Sequence, residues 1–187
     1  MNSNLQVISG EFRGRRLTLP PFARPTQNMA RGAIFNMLGT IIPVGDKITA
    51  WDAFAGSGAL GIETLSRWAN STAIFTDISD ESIKTIRKNT ADIAANRIRI
   101  IKADATNIVK NYASNVNLIF IDPPYENATV GPDFLTKLAN HVRSGTIVVQ
   151  EIEKIVPFLP DTNKWEILRD KTYGRARFLI LRSNVNK

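Results

Sequence analysis

The chain has 187 residues, enough for one domain with a sizeable hydrophobic core, and its formal net charge of +7 favours an acidic partner such as a nucleic acid. Hydrophobic residues make up 43% of the chain, which is typical of a globular protein, and the absence of cysteine excludes disulfides and thiolate metal sites. His141 is the single histidine, so we expect no metal partner. Residues 1–6 lack the apolar segment of a signal peptide, and no apolar run is long enough to span a membrane. We therefore expect a cytoplasmic protein without a membrane partner.

The first predicted elements form a small N-terminal extension, residues 1–45. Two short strands at 5–9 and 15–19, with glycines between them, predict a β-hairpin. An extended link with three prolines follows, and then a helix over 28–42 whose apolar residues recur at helical spacing. We expect the main domain to take residues 46–187.

The extension is basic, with Glu11 as its only acid. Its arginines are Arg13, Arg15, Arg16, Arg24 and Arg31. Because arginine pairs with phosphate through two parallel hydrogen bonds, we predict that these side chains contact RNA. A solvated basic surface without a ligand is the alternative. Further cations near the C-terminus are Arg169, Lys171, Arg175, Arg177 and Arg182.

Strands and helices alternate through the main domain. Strands are predicted near 48–54, 72–76, 98–101, 117–121 and 146–150, and helices over about 58–69, 80–95 and 132–142. This alternation predicts an α/β fold with a parallel sheet and right-handed crossovers. Two last strands, 166–169 and 176–182, predict an antiparallel hairpin at the sheet edge. A mostly parallel seven-stranded sheet with an antiparallel C-terminal edge is the architecture of Rossmann-like class I methyltransferases.

A glycine-rich turn follows the first strand of the main domain, in the segment Asp52-Ala53-Phe54-Ala55-Gly56-Ser57-Gly58-Ala59-Leu60-Gly61. Gly56 and Gly58 permit a tight turn and the close approach of a ligand, and Gly61 permits close packing of a helix on the sheet. The spacing also fits a dinucleotide-binding turn, which is weak evidence alone. Asp52 would repel a pyrophosphate and attract the ammonium group of S-adenosylmethionine. We therefore predict cofactor contacts from Asp52, Phe54, Ala55, Gly56 and Gly58.

Acidic residues also end the next strands. Asp77, followed by Ile78, is placed to accept hydrogen bonds from ribose hydroxyls, and Asp104, followed by Ala105, from the adenine amino group. Each acid alone would be an ordinary solvated loop residue. Together with Asp122 at the end of a further strand they predict one S-adenosylmethionine site.

The segment Asp122-Pro123-Pro124-Tyr125 follows a short apolar run, Leu118-Ile119-Phe120-Ile121, which predicts a buried parallel strand. The nitrogen of Pro123 has no hydrogen, so its peptide offers only an acceptor, and the Asp122 carboxylate is a second acceptor. Tyr125 offers a flat ring for stacking. These groups suit a nucleobase whose exocyclic amino group receives a methyl group, and we predict Asp122, Pro123 and Tyr125 as catalytic residues.

These motifs together resemble the RsmD family of small-subunit ribosomal RNA guanine-N2 methyltransferases over nearly the whole chain. Residues 7–17 (VISGEFRGRRL) resemble the opening hairpin of the family, and residues 24–26 and 33–36 its next block. The glycine turn and residues 122–125 resemble its cofactor and catalytic motifs, and residues 173–174 precede the last strand as in the family. The resemblance implies a monomer that methylates guanine N2 in 16S ribosomal RNA, within the small subunit or an assembly intermediate.

The sequence departs from the family pattern at several positions. Between Thr26 and Ala33 the family usually carries an Asp, an Arg and a Glu. This chain has Asn28, Met29 and Gly32 at those places and keeps only Arg31 in this segment. The acid after the second strand is commonly Glu, whereas Asp77 is one carbon shorter.

Several alternatives remain open on the residues alone. The Asp-Pro-Pro-Tyr motif serves adenine N6 methylation of RNA or DNA equally well, although a large target-recognition domain for DNA has no room here. A protein-glutamine methyltransferase usually carries Asn in place of Asp122. A non-catalytic RNA-binding assembly factor on the same scaffold is a further alternative. An NAD-linked oxidoreductase is the weakest, because no hydride-transfer site accompanies the glycines.

Overall fold

The computed structural model describes residues 5–21, 28–124 and 126–184. The α-helices are α1 (Asn28–Gly39), α2 (Ala59–Arg67), α3 (Asp80–Asn89), α4 (Ala105–Tyr112) and α5 (Val130–Leu138). The strands are β1 (Thr49–Asp52), β2 (Thr72–Asp77), β3 (Ile98–Lys102), β4 (Leu118–Ile121), β5 (Ile147–Glu153), β6 (Trp165–Tyr173) and β7 (Ala176–Ser183). Short 3-10 helices cover Ala95–Arg97 and Ala113–Asn115.

The strands form a seven-stranded sheet in the order β3-β2-β1-β4-β5-β7-β6. The pairs β1–β2, β2–β3 and β4–β5 are parallel, whereas β7 is antiparallel to both β5 and β6. The predicted fold class, a mostly parallel sheet with an antiparallel C-terminal edge, is therefore confirmed. Within the described ranges, no helix combines the length and the hydrophobicity that crossing a membrane requires.

Contacts divide the chain into two compact units, residues 1–103 and 104–187. In the first unit, one hydrophobic cluster joins Leu5, Val7 and Leu17 to Leu65 of α2 and Phe75 of β2. We call residues 5–21 the N-terminal arm. The arm thus shares its core with α2 and β2. The predicted functional division at residue 45 stays a prediction.

The predicted N-terminal hairpin forms only in part. Gln6 and Arg16 make an isolated antiparallel bridge, and Val7 N–H donates to the Arg15 carbonyl at 2.9 Å. On the other side of the bridge, Leu17 N–H donates to the Leu5 carbonyl at 2.9 Å. Beyond Val7 the N–H groups of Ile8 and Phe12 bond α2 instead, and the arm contains no regular strand.

Helix α4 is an element that the sequence analysis missed. Asp104 caps it by accepting a hydrogen bond from the backbone N–H of Thr106 at 2.8 Å. Ala105 and Val109 are its buried residues. The helix supplies the crossover that a parallel connection between β3 and β4 requires.

The N-terminal arm is fixed to α2 by hydrogen bonds from its backbone. The N–H groups of Ile8 and Ser9 donate to the Glu63 carboxylate at 2.8 and 3.1 Å, and Phe12 N–H donates to the Ser66 hydroxyl at 2.9 Å. Gly10 lies so close to α2 that a Cβ there would sit 1.9 Å from the Ser66 carbonyl oxygen. Only glycine fits this contact.

Replacing Gly10 with alanine is expected to destabilise the protein more than the same change at Gly14. Both residues have a positive φ, 86° and 83°, so both variants carry the strain of about 1–2 kcal/mol that a side chain meets in this conformation. Only Gly10 adds a backbone clash, since in the part of the chain that the structure describes no atom beyond the chain neighbours lies within 4 Å of a Cβ at Gly14. Overpacking adds about 1–3 kcal/mol. Urea unfolding of the two variants measures the difference, and equal losses would refute the close contact.

Candidate active site

The glycine turn between β1 and α2 is held by hydrogen bonds from the backbone to two carboxylates. Asp52, only 1% exposed, accepts from the N–H of Gly61 at 3.0 Å. Asp77 accepts from the N–H of Gly56 at 2.8 Å. Gly56 and Gly58 have φ of 52° and 79°, a conformation that favours glycine. The two acids therefore shape the turn, whatever they also bind.

Gly61 lets α2 pack directly on the sheet. A Cβ at this position would lie 2.2 Å from an edge carbon of the Phe75 ring. Phe75 is fully buried in β2, so its ring cannot move aside without disturbing the core. This packing brings the first turn of α2 over the sheet, as the sequence analysis expected.

The surroundings of Gly56 are open to a ligand. Among the described residues, no atom beyond the chain neighbours lies within 4 Å of a Cβ at Gly56, and Ile78, directly after Asp77, is 70% exposed. An exposed isoleucine beside a carboxylate offers an apolar surface for a flat ring and an acceptor for hydroxyl groups. Phe54 is half-buried and Ala55 is buried, and the Ala55 N–H donates to the Thr76 carbonyl at 2.9 Å. These features fit the nucleoside part of S-adenosylmethionine.

Asp104 begins the second compact unit. Its carboxylate is exposed and accepts from both the backbone N–H and the hydroxyl of Thr106, at 2.8 and 2.7 Å. The adjacent Ala105 is 2% exposed. Asp104 is therefore a helix cap in this structure, and its predicted contact with adenine stays a prediction.

The predicted catalytic segment emerges from β4, all four residues of which are buried. Asp122 is half-buried, Pro123 is buried and Pro124 is exposed. Tyr125 lies outside the described residues, so its predicted stacking role stays a prediction. A rigid proline pair directly after a buried strand fixes the backbone that presents the Asp122 carboxylate and the Pro123 carbonyl.

A shallow pocket adjoins the two prolines within the second unit. It is lined by Pro123, Pro124, Asn127, Ala128, Gly131, Pro132, Glu151, Ile152, Glu153 and Val156. Proline and aliphatic side chains give it apolar walls, and asparagine and glutamate side chains supply acceptors. The lining thus combines an apolar surface with hydrogen-bond acceptors beside the predicted catalytic segment.

The predicted RNA-binding arginines fall in different environments. Arg13 and Arg16 are exposed, whereas Arg15 makes two hydrogen bonds to Asp92, at 2.8 and 2.6 Å. Arg24 lies outside the described residues. Arg13 and Arg16 thus present their charge to solvent, while that of Arg15 is partly neutralised.

Arg31 does not belong to this exposed set, because its side chain is fully buried. It donates to the Gln6 carbonyl and, at 3.0 Å, to the Asn28 side chain, and its Nε lies 3.8 Å from a Glu63 carboxylate oxygen. Burial lowers the pKa of Arg31, and Glu63 opposes that change. A guanidinium enclosed in this way is a structural ion-pair partner, and the prediction that it contacts RNA is dropped.

Two carboxylates escaped the sequence analysis. Glu63 is fully buried under the arm, and Glu151 of β5 is 8% exposed. A glutamate within the apolar face of a helix, as at Glu63, is a signal of a buried pair. In the described parts of the chain, no group of three or more histidine, cysteine or acidic residues is arranged to hold a metal ion.

A glycine turn after the first parallel strand, with carboxylates at the ends of β1 and β2, is the arrangement of a Rossmann-like methyltransferase. The comparison with solved structures supports this class. "Putative methyltransferase yhhF from Escherichia coli" superposes with a TM-score of 0.82 and 26% identity, covering 97% of this chain and 99% of that one. The chain is a methyltransferase of the Rossmann-like class, and its homologues imply S-adenosylmethionine as the methyl donor.

Comparison of sequences narrows the class to one family. The family model described as "Conserved hypothetical protein 95" matches residues 5–182. "Ribosomal RNA small subunit methyltransferase D" of Escherichia coli K12 is 29% identical over 185 residues, covering 96% of this chain and 90% of the relative. The protein of that name from Haemophilus influenzae is 28% identical over 183 residues, covering 94% and 92%. The chain belongs to the RsmD family of ribosomal RNA methyltransferases.

Proposed function

We propose that this protein transfers the methyl group of S-adenosylmethionine to the exocyclic N2 of a guanine in 16S ribosomal RNA, within the small subunit or an assembly intermediate. The observation that carries the proposal is the Asp122-Pro123-Pro124 segment at the end of buried β4, in a chain of an rRNA methyltransferase family. Its two acceptors suit an amino group, and the relatives' name supplies the class of RNA. The protein acts as a cytoplasmic monomer in this proposal.

The cofactor is held by residues of the glycine turn and of the following strand end. Asp52 would attract the methionine ammonium group, Gly56 and Gly58 would allow the ligand to approach the backbone, and Asp77 and Ile78 would bind the ribose and adenine. When bound, S-adenosylmethionine supplies an activated methyl group. The protein therefore contributes chiefly position and electrostatics.

The amino group of guanine is a weak nucleophile, because its lone pair is delocalised into the ring. Asp122 and the Pro123 carbonyl accept its hydrogens, which favours a more tetrahedral nitrogen and directs the lone pair outward. Tyr125 stacks on the extruded base, a contact that contributes about 1–3 kcal/mol. Asp122 need not be a strong base, since the nitrogen is cationic and acidic once it carries the methyl group and then gives up a proton to Asp122 or to water.

Analysis of nucleosides in ribosomal RNA tests the proposed target. Mass spectrometry of 16S RNA from cells with and without the gene is expected to show loss of one N2-methylguanosine per molecule, restored by the wild-type gene. Loss of N6-methyladenosine would instead make the protein an adenine-N6 methyltransferase. Unchanged nucleosides, together with no binding of S-adenosylmethionine in calorimetry, would favour a non-catalytic assembly factor.

Removing Arg13 and Arg16 is expected to flatten the salt dependence of RNA binding. Both side chains are exposed, and each phosphate contact contributes about 0.7–0.9 to the slope of log K against log salt. The double alanine variant should therefore lose about 1.4–1.8 from the slope. Filter binding at several salt concentrations measures it. The control is Lys84→Ala, which removes an exposed cation from α3. An unchanged slope in the double variant would exclude phosphate contacts by this pair.

A further inference from the structure

Asp122 and Glu151 each follow one member of a residue pair in β4 and β5. The strands are parallel, and their last recorded pair is Ile121 with Gln150. Asp122 comes directly after the end of β4, and Glu151 is the next residue within β5. Neighbouring parallel strands lie roughly 4.8 Å apart, and residues in register point to the same face. Extended by one residue beyond the end of β4, this register places Glu151 beside the proposed catalytic carboxylate.

Glu151 is positioned firmly at this place. It lies within β5, where it also pairs with Phe178 of the antiparallel neighbour β7. The residue is only 8% exposed, so water screens its charge weakly. A carboxylate held on a central strand has less freedom than one on a loop and can therefore discriminate between ligands by geometry.

The pocket beside Pro123 and Pro124 is also lined by carboxylates. Both glutamates of β5, Glu151 and Glu153, belong to its lining, and the described residues that line it include no lysine or arginine. Glu153 is already ion-paired with Arg175. An acceptor-rich wall of this kind disfavours phosphate and favours the edge of a base that carries several N–H donors.

Guanine and adenine differ at the edge that such a wall would meet. Guanine presents N1–H beside its amino group, so both positions are donors. Adenine presents a bare N1 lone pair beside its amino group, and a carboxylate facing that lone pair would be repelled. We propose that Glu151 accepts the N1–H of the target guanine while Asp122 holds its N2 amino group, which makes Glu151 the residue that selects guanine. This inference rests on the proposed function.

The test compares guanine with 2-aminopurine, which keeps the N2 amino group but has a bare N1. Small subunits are reconstituted from ligated ribosomal RNA carrying either base at the nucleotide that mass spectrometry identifies as the product of the wild type. The wild type is expected to methylate guanine at least about 100-fold faster under single-turnover conditions. Glu151→Gln is expected to reduce this ratio at least about tenfold, because an amide can present either an acceptor or a donor to N1.

Two further variants separate selectivity from folding. Glu151→Asp keeps the carboxylate and should keep the preference for guanine, even if its rate falls. Glu166→Gln neutralises an exposed glutamate of β6 that pairs with Arg182 outside the pocket lining, and it should leave the ratio unchanged. Calorimetric affinity for S-adenosylmethionine should be the same in all of them. A wild type that methylates both bases equally, or a Glu151→Gln variant that keeps the wild-type ratio, overturns the inference. A wild type that makes no N2-methylguanosine overturns the proposed function instead.

Discussion

Asp122→Ala is expected to lower the rate of methyl transfer by about 10²–10³-fold, the usual effect of removing one polar group that stabilises charge in a transition state. Of the two acceptors proposed for the amino group, the variant keeps only the Pro123 carbonyl. The proposed cofactor contacts are made chiefly by the glycine turn, Asp77 and Ile78, so we expect the affinity for S-adenosylmethionine to change by less than about threefold. Single-turnover transfer of a tritiated methyl group to small subunits from cells lacking the gene measures the rate, and calorimetry measures the affinity.

Asp122→Asn is the matched variant for this experiment. Its amide oxygen still accepts one hydrogen bond, so it should retain more activity than the alanine variant. Near wild-type turnover in the alanine variant would show that Asp122 and Pro123 form only a stiff turn.

Glu63→Gln is expected to cost about 3–5 kcal/mol of unfolding free energy, the usual result of breaking a buried ion pair by neutralising one partner. Glu63 is fully buried and accepts from Arg67 Nε at 2.7 Å as well as from the arm. The change preserves volume but leaves the buried Arg31 without its counter-charge. Urea unfolding followed by circular dichroism measures the loss.

Glu81→Gln provides the control for Glu63. Glu81 pairs with Lys84 at 2.9 Å on the exposed side of α3. Exposed pairs of this kind contribute about 0–1 kcal/mol, so the control should unfold almost as the wild type does. A similar loss in both variants would mean that Glu63 is no special anchor for the arm.

The parts of the molecule that the sequence predicts well are those decided locally. Glycines at φ of 52° and 79° and prolines after a buried strand restrict the backbone through their own chemistry, so the turns at Gly56–Gly58 and Pro123–Pro124 follow from residue type. The alternation of strand and helix is also local. It predicted the sheet, including the antiparallel edge.

The features that the sequence did not predict depend on contacts between residues that are far apart in the chain. The arm forms one bridge instead of two strands because its N–H groups bond Glu63 and Ser66, more than fifty residues away. The role of Arg31 depends on the same partner. A signal was nevertheless present, since Arg31 precedes Ile34, Phe35 and Leu38 at helical spacing and therefore lies on the buried face of α1.

Helix α4 could have been found by the same argument. Asp104 is a good capping residue, and Ala105, Ile108, Val109 and Tyr112 recur at helical spacing. Asp104 stands both at the end of β3, where a ligand residue is expected, and at the start of α4, where a cap is expected. One carboxylate can serve both purposes only if its second oxygen turns to the ligand.

Helix α2 connects the glycine turn to the N-terminal arm, two segments that are far apart in the sequence. Its first turn bonds the Asp52 carboxylate through Gly61, and its next turns hold the arm through Glu63 and Ser66. Nine residues make this helix too short to be stable alone, so local opening at one end exposes the other. By thermodynamic linkage, a ligand that protects the turn also protects the arm. Amide hydrogen exchange at Ile8, Ser9 and Phe12 should therefore slow when S-adenosylmethionine binds, which would make the arm a reporter of cofactor occupancy.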